Sequence, residues 1–428
     1  MTKFASLPAI EAIVDQDLRD QRYDDALAHM VLTVHNHYKS PEATHRHLYY
    51  PVFDRQIEQL SAALVQQCPA PQVQPPLSRN TLIIATQLYQ VGGHSRVVED
   101  FARELESPTV VLTDTFSTYR NDPSYQQWVH PAYGDTPVIA LPQPGPWAKC
   151  RALLALVRRL QPRNIFYFNH HQDPIGFIGT LGHAGSRKTL VHHADHNPSL
   201  GVTLPSLAHA DFTDELAAIC THELHKPTTV VPLYVPDLGC KVFSEPTPAA
   251  MSVVTSGTQI KFARTGELSL QAIACAVLRS VGGQFFHIGP LDADWLAEIH
   301  AHLAANGITP QRFAPLGSVS SLWGTLASLD AHVYLGSAPV GGARAAIEAQ
   351  GCGYPLCFYR VDDPSSLVAV DSLYANKSLG WTTLAQLSGL LKGLAPAHAQ
   401  LSQEARGFYD ARFSRQELLR VLAQLCEG

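Results

Sequence analysis

The sequence predicts an α/β fold: two tandem doubly wound, Rossmann-like domains preceded by a small all-helical N-terminal region. Three observations lead there. The first 68 residues carry apolar side chains at helical spacing and show no strand pattern. From Thr81 short apolar runs alternate with longer amphipathic ones, the signature of a parallel sheet covered by helices on both faces. A second alternation of the same kind begins after the proline-bearing stretch Ser244-Glu245-Pro246-Thr247-Pro248.

Composition agrees. A chain of 428 residues holds two to three domains. With 46% hydrophobic and 16% charged residues it is globular, not disordered. The net charge of -6, with no dense basic cluster, argues against a nucleic-acid partner. No apolar run reaches the roughly 18 residues that span a bilayer. The start, Met1 to Pro8, lacks an apolar signal core, which predicts a cytoplasmic protein with no transmembrane segment. The eight cysteines form no C-x-x-C pair, predicting buried free thiols and neither a disulfide framework nor a structural zinc site.

In the helical region (1–68), Val14, Leu18, Tyr23, Ala26, Leu27, Met30 and Val31 recur mostly at three- and four-residue spacings, and Phe53, Ile57, Leu60 and Leu64 repeat that period. The run Arg19–Leu27 resembles a single helical repeat, too little for an array. The region reads as a small bundle packed on the body, with protein contacts as the alternative. A proline-rich linker follows (69–80). The first Rossmann-like domain (81–245) has expected strands at Leu82–Thr86, Thr109–Leu112, Val138–Leu141, Ile165–Phe168, Thr189–His192, Ala218–Thr221 and Thr229–Leu233. Its helices are expected to start near His94, Trp147, Gly176 and Leu204. The second (250–405) has expected strands at Ser252–Ser256, Gln284–Ile288, Gln311–Phe313, His332–Leu335 and Leu356–Tyr359. Helices fill 268–281, 293–305, 319–328, 342–351 and 383–394. A terminal helix (406–428), able to cross back to the first domain, shows the pattern Leu418, Leu419, Val421, Leu422, Leu425. Such domains hold ligands at the carboxyl ends of their strands, so a cleft between the two is the expected active site.

Three segments carry chemistry. Ile83-Ile84-Ala85-Thr86 runs into Gly92-Gly93-His94, where a double glycine opens a helix; this can be a phosphate or acceptor loop, or a plain tight turn. It is not the G-x-G-x-x-G dinucleotide fingerprint. The run His192-His193-Ala194-Asp195-His196 follows a strand, as does Asn169-His170-His171-Gln172-Asp173. Adjacent His and Asp can make an acid–base pair, contact sugar hydroxyls or diphosphate, hydrogen-bond structurally or bind a metal, although no helix carries metal-ligand spacing here. The third segment runs from Ser256-Gly257 and Lys261 to Gly341-Gly342-Ala343-Arg344, with Glu348 about two turns into the helix. The second Gly-Gly helix start is another anion cradle; Lys261 can neutralise a diphosphate and Glu348 can accept both ribose hydroxyls.

At these residues the chain resembles the two-domain nucleotide-sugar glycosyltransferases of the GT-B type. The resemblance covers about residues 80–428 and is strongest at Ile347-Glu348-Ala349-Gln350-Gly351-Cys352-Gly353-Tyr354-Pro355, which is similar to that family's donor-binding Glu-Ala-x-x-x-Gly-x-Pro segment. It extends to the closing Tyr409-Asp410-Ala411-Arg412-Phe413-Ser414. The match implies that Glu348 holds the donor ribose and Lys261 the diphosphate, with Ser256, Gly257, Gly341, Gly342 and Arg344 around them. Retaining members carry a further glutamate eight positions earlier, where this chain has Val340. That absence, the His-rich run and the helical head resemble the inverting bacterial cytoplasmic N-glycosyltransferases and their O-GlcNAc transferase relatives.

The resemblance implies metal-independent transfer from a nucleotide-diphosphate sugar, a UDP-sugar foremost, to a protein, glycan or lipid acceptor. No cofactor beyond the donor is expected. Asp195 or one of His192, His193 and His196 would act as base, with Gly92, Gly93 and His94 on the acceptor side. The alternatives are a sugar-nucleotide 2-epimerase, a phosphorylase or a non-catalytic binding subunit.

Overall fold

The computed structural model describes residues 6–39, 49–69, 78–90, 93–193, 198–247, 249–361 and 371–427. The chain opens with helices α1 (Leu7–Arg19), α2 (Tyr23–Lys39) and α3 (Pro51–Gln67). Their apolar stripes are spent inside the first unit. Val14, Leu27, Met30, Phe53, Ile57, Leu60 and Leu64 are buried in one core with Leu82, Ile84, Trp147, Leu153 and Phe177. The head is therefore part of that unit's core, as an amphipathic bundle packed on a body must be.

A polar anchor completes the junction. Asp54 of α3 is buried and accepts from the Gly201 amide at 2.6 Å, the Thr203 amide at 2.8 Å and the Thr203 hydroxyl at 2.6 Å. Gly201 has φ +88°, and a Cβ there would lie 2.3 Å from the Phe177 ring, so only glycine fits.

The first sheet holds β1 (Ser78–Ala85), β2 (Pro108–Leu112), β3 (Val138–Ala140), β4 (Pro162–Phe168), β5 (Arg187–His192), β6 (Ala208–Asp211) and β7 (Thr228–Val230). Their order is β3-β2-β1-β4-β5-β6-β7, with every pairing parallel. The connecting helices are α4 (Gly93–Glu104), α5 (Thr118–Asn121), α6 (Pro123–Ala132), α7 (Pro146–Leu160), α8 (Ile175–Leu181) and α9 (Asp214–Leu224).

The second sheet holds β8 (Val253–Ser256), β9 (Phe285–Ile288), β10 (Phe313–Gly317), β11 (Val333–Leu335), β12 (Leu356–Tyr359) and β13 (Gly380–Trp381). Its order is β10-β9-β8-β11-β12-β13, again parallel throughout. It is wrapped by α10 (Leu270–Ser280), α11 (Ala293–Ala305), α12 (Leu322–Ser328), α13 (Ala343–Gly351), α14 (Leu384–Gly393) and α15 (His398–Arg412), after which α16 (Arg415–Glu427) belongs from Leu419 on to the first unit. Both sheets are doubly wound, with the strand order reversing between β1 and β4 and between β8 and β11. The chain divides into two units, Met1–Val231 with Leu419–Gly428, and Pro232–Leu418. No helix among the described residues is long and apolar enough to cross a membrane.

Three expectations need correction. Ala218–Thr221 is helix, not strand: it lies inside α9, whose start is capped by the Thr213 hydroxyl accepting from the Leu216 amide. No helix starts at Leu204; the sixth strand is Ala208–Asp211, whose polar His209 and Asp211 disguise it. The strand expected at Gln311–Phe313 begins at Phe313, after a short 3-10 turn at Pro310–Arg312.

The segment from Pro232 to Ser244 belongs to the second unit, through the Lys241 amide on the Cys352 carbonyl (2.9 Å), the Trp323 indole on the Gly239 carbonyl (2.9 Å) and the Tyr409 hydroxyl on the Val235 carbonyl (2.6 Å).

Candidate functional site

In the second unit the crossover between β8 and β11 gathers most of the residues expected to hold a donor. Leu335 pairs with Thr255, so the loops leaving Ser256 and Gly336 start side by side. The chain leaves β8 through Gly257 and Thr258 into a 3-10 turn, Gln259–Lys261. The Val340 amide donates to the Lys261 carbonyl at 3.3 Å, joining the two loops. The Lys261 ammonium donates to the Gly341 carbonyl at 3.4 Å, and a Cβ at Gly342 would lie 3.0 Å from it. Gly342 caps α13 and offers no side chain to the first-turn amides, which have no intrahelical partners. A half-buried cation and a glycine-opened helix N-terminus thus sit together, an arrangement that holds an anion. Burial lowers the Lys261 pKa from its ordinary value.

Glu348 lies on α13, six residues after Gly342, with 18% of its side chain exposed, so it is not a solvated surface residue. One carboxylate oxygen accepts from the Trp323 amide at 3.0 Å, in the first turn of α12. The other lies 4.0 Å from the Arg344 guanidinium, which also donates to the Tyr234 carbonyl at 3.1 Å. Ser256 differs from its expected role. It is buried and bonded to the Tyr334 hydroxyl at 2.6 Å, so it joins β8 to β11.

In the first unit a cluster of imidazoles stands at the carboxyl ends of β1, β4 and β5. The His94 and His193 rings are 4.3 Å apart, and His170 lies 5.7 Å from His94. Tyr89 stacks on His170 at 5.6 Å, with its hydroxyl 3.2 Å from His170 Nε2. His94 Nε2 is 3.0 Å from the Phe168 carbonyl, and His193 Nε2 is 2.8 Å from the Asn169 carbonyl. A carbonyl only accepts, so both Nε2 atoms carry a proton, which leaves the lone pair of a neutral ring on Nδ1. His94 Nδ1 is buried and makes no hydrogen bond. Burial, then the neighbouring His193 and His170, holds His94 well below the usual imidazole range. Burial, then His193, pushes His170 down to about 4. Both are neutral at pH 7.

His192 turns the other way, as alternation along a strand requires. It is buried with its Nδ1 3.2 Å from Asp211, so it does not join the cluster it was expected to share with His193. Gly92, Asp195 and His196 lie outside the described residues; Gly93 opens α4 with His94 beside it.

The sequence singled out His170 only as part of a His-rich run after a strand, without a role, and gave no signal for Tyr89. Asp173, from the same run, is structural. It is fully buried and accepts from the Thr86 hydroxyl (2.6 Å), the Ile175 amide (3.0 Å) and the Thr113 hydroxyl, tying the ends of three segments. A cavity of about 370 Å³, lined by Leu27, Val31, Phe116, Pro144 and Ile175, lies between α2 and the loop after β2. The Phe116 ring, one of its walls, is 5.8 Å from His170.

No protein-family model matches the chain, and no curated protein matches it. Solved structures do. An O-GlcNAc transferase mutant from Thermobaculum terrenum is 14% identical, with a TM-score of 0.53 over 95% of this chain and 82% of that one. The Anabaena protein HepE in complex with UDP is 13% identical, with a TM-score of 0.57 over 81% and 98%. A glycosyltransferase from Rickettsia africae is 9% identical, with a TM-score of 0.60 over 82% and 100%. The fold is the two-domain GT-B fold. The 95% coverage by the O-GlcNAc transferase leaves little of the helical head unmatched, so the likeness extends into α1–α3.

Proposed function

We propose that this protein is a glycosyltransferase that moves a sugar from a nucleotide-diphosphate donor, foremost a UDP-sugar, to a protein, glycan or lipid acceptor. The observation that carries the reading is the Lys261 ammonium over Gly341 and Gly342 at the uncapped start of α13. Diphosphate departure builds negative charge, and a fixed cation beside the N-terminal end of a helix stabilises it most at the transition state. These groups do the work a divalent cation does elsewhere, so the reaction is metal-independent at the donor. Glu348 accepts from the ribose hydroxyls, with Arg344 restraining its second oxygen. The UDP bound to HepE supports uracil as the base.

The first unit supplies the acceptor side. His94, held neutral and with its Nδ1 lone pair, suits a general base; His193 beside it is a second candidate, and Asp195 and His196 stay candidates from the sequence alone. Val340, where retaining enzymes have a glutamate, favours inversion. The apolar cavity beside Phe116 suits an acceptor with a nonpolar portion.

The test is incubation with UDP-sugars, with and without an acceptor panel, following UDP release and sugar configuration. Acceptor-dependent release with an inverted product is expected. Acceptor-independent conversion to an epimer would make the protein a 2-epimerase. Binding of no nucleotide would make it a non-catalytic subunit.

A further inference from the structure

Behind the imidazole cluster, β5, β6 and α9 bring together His192, His209, Asp211 and Cys220. All four are buried, with exposures of 1%, 2%, 0% and 0%. One donor atom from each lies within 4.8 Å of the others. His192 Nδ1 is 3.2 Å from Asp211 Oδ1, His209 Nε2 is 3.4 Å from Asp211 Oδ2, and Cys220 Sγ is 3.7 Å from His192 Nδ1. Zinc held at about 2.0–2.3 Å by N, O and S donors gives tetrahedral edges of about 3.3–3.6 Å, close to these separations.

The polar accounting points the same way. Asp211 faces only the two imidazole nitrogens, at 3.2 and 3.4 Å, and neither contact has good hydrogen-bond geometry. A fully buried carboxylate held only by two poorly aligned imidazoles is weakly satisfied, and a cation between these atoms would satisfy all of them at once. Charge also balances. One thiolate and one carboxylate cancel a divalent ion, and two neutral imidazoles complete the set, so the dry site is neutral overall.

We infer that His192, His209, Asp211 and Cys220 form a closed structural site for a divalent transition-metal ion, zinc by its donor set. Loading releases the Cys220 thiol proton to solvent and occurs as the unit folds, since no donor is exposed. With four protein ligands no position stays open for substrate, so the ion is structural. It fixes the end of β5, and so positions His193 one residue on. The site belongs to the first unit and is independent of the nucleotide reading, which concerns the second.

Metal analysis of the full-length chain, purified without chelator from zinc-supplied cells, tests this. About one zinc per chain is expected, released to a chromogenic chelator on unfolding. Cys220→Ser and His209→Gln should each lower the metal content several-fold at unchanged UDP affinity. Should those variants fail to fold, wild-type protein made in cobalt-supplemented medium decides. It should show tetrahedral cobalt bands and a charge-transfer band of one thiolate. Metal-free wild type with no cobalt bands would overturn the inference, as would full metal retention in both variants.

Discussion

Asp54 makes the most quantitative test of how the head is joined to the body. Its carboxyl accepts from two backbone amides and one hydroxyl on the Gly201–Thr203 segment. Asp54→Ala orphans both amides, at about 1–3 kcal/mol each for buried donors, so about 2–4 kcal/mol in all after partial relaxation. The cost depends on pH. Burial raises the Asp54 pKa from 3.8 to about 6, despite the hydrogen bonds and Lys226. A carboxyl raised on folding contributes stability that is full below its unfolded pKa and lost as pH rises through the folded one. With these two values the wild type loses about 1.4 kcal/mol between pH 5 and pH 7.5 through this group alone. The variant loses none of it. Urea denaturation at both pH values should therefore give a ΔΔG of about 2–4 kcal/mol at pH 5, falling by about 1.4 kcal/mol at pH 7.5. The head and first unit should unfold in one transition. A ΔΔG that grows with pH, or a head that melts separately, would refute the reasoning.

Three further outcomes follow from the same geometry. Gly201→Ala forces a left-handed alanine against Phe177, costing about 2–5 kcal/mol from backbone strain and overpacking, read as a lower urea midpoint at unchanged slope. Glu348→Ala should weaken UDP binding about tenfold or more, and lower stability by about 1 kcal/mol because the α12 amide of Trp323 loses its acceptor; calorimetry and urea melts separate the two. His94→Ala should cut transfer about 10²–10⁴-fold with UDP affinity unchanged. Because burial pushes His170 down to about 4 and holds His94 well below the usual imidazole range, these two rings should put no acid limb on kcat/KM between pH 5 and pH 7.

The fold was legible where periodicity was clean. The head declared itself through Phe53, Ile57, Leu60 and Leu64, and the sheets through runs such as Leu82–Ala85 and Ile165–Phe168. It was illegible at β6, whose Ala-His-Ala-Asp carries two polar side chains in the core, and at α9, where the short run Ala218–Thr221 imitates a strand. Local pattern fails where a residue is chosen for another purpose. His209 and Asp211 meet His192 and Cys220, and no spacing rule finds four donors spread over 29 positions from His192 to Cys220. In the second unit Lys261 and Gly341-Gly342 could be singled out because each lies in the loop that leaves a strand. Ser256 could not be sorted, because a strand's last residue can point to a ligand or to its neighbour, and here Tyr334 takes it. His170 was seen but not assigned, since its proximity to His94 and Tyr89 exists only in the folded sheet.

The central claim is that Lys261 and the start of α13 hold a nucleotide diphosphate. Calorimetric titration of UDP into the wild type and Lys261→Ala, in magnesium-free buffer with GDP and ADP as controls, tests it most directly. The account predicts UDP binding without magnesium, and a loss of about tenfold or more in Lys261→Ala, the worth of one charge-assisted hydrogen bond. Equal UDP affinity in the two proteins, or no binding of any nucleotide by the wild type, would contradict it.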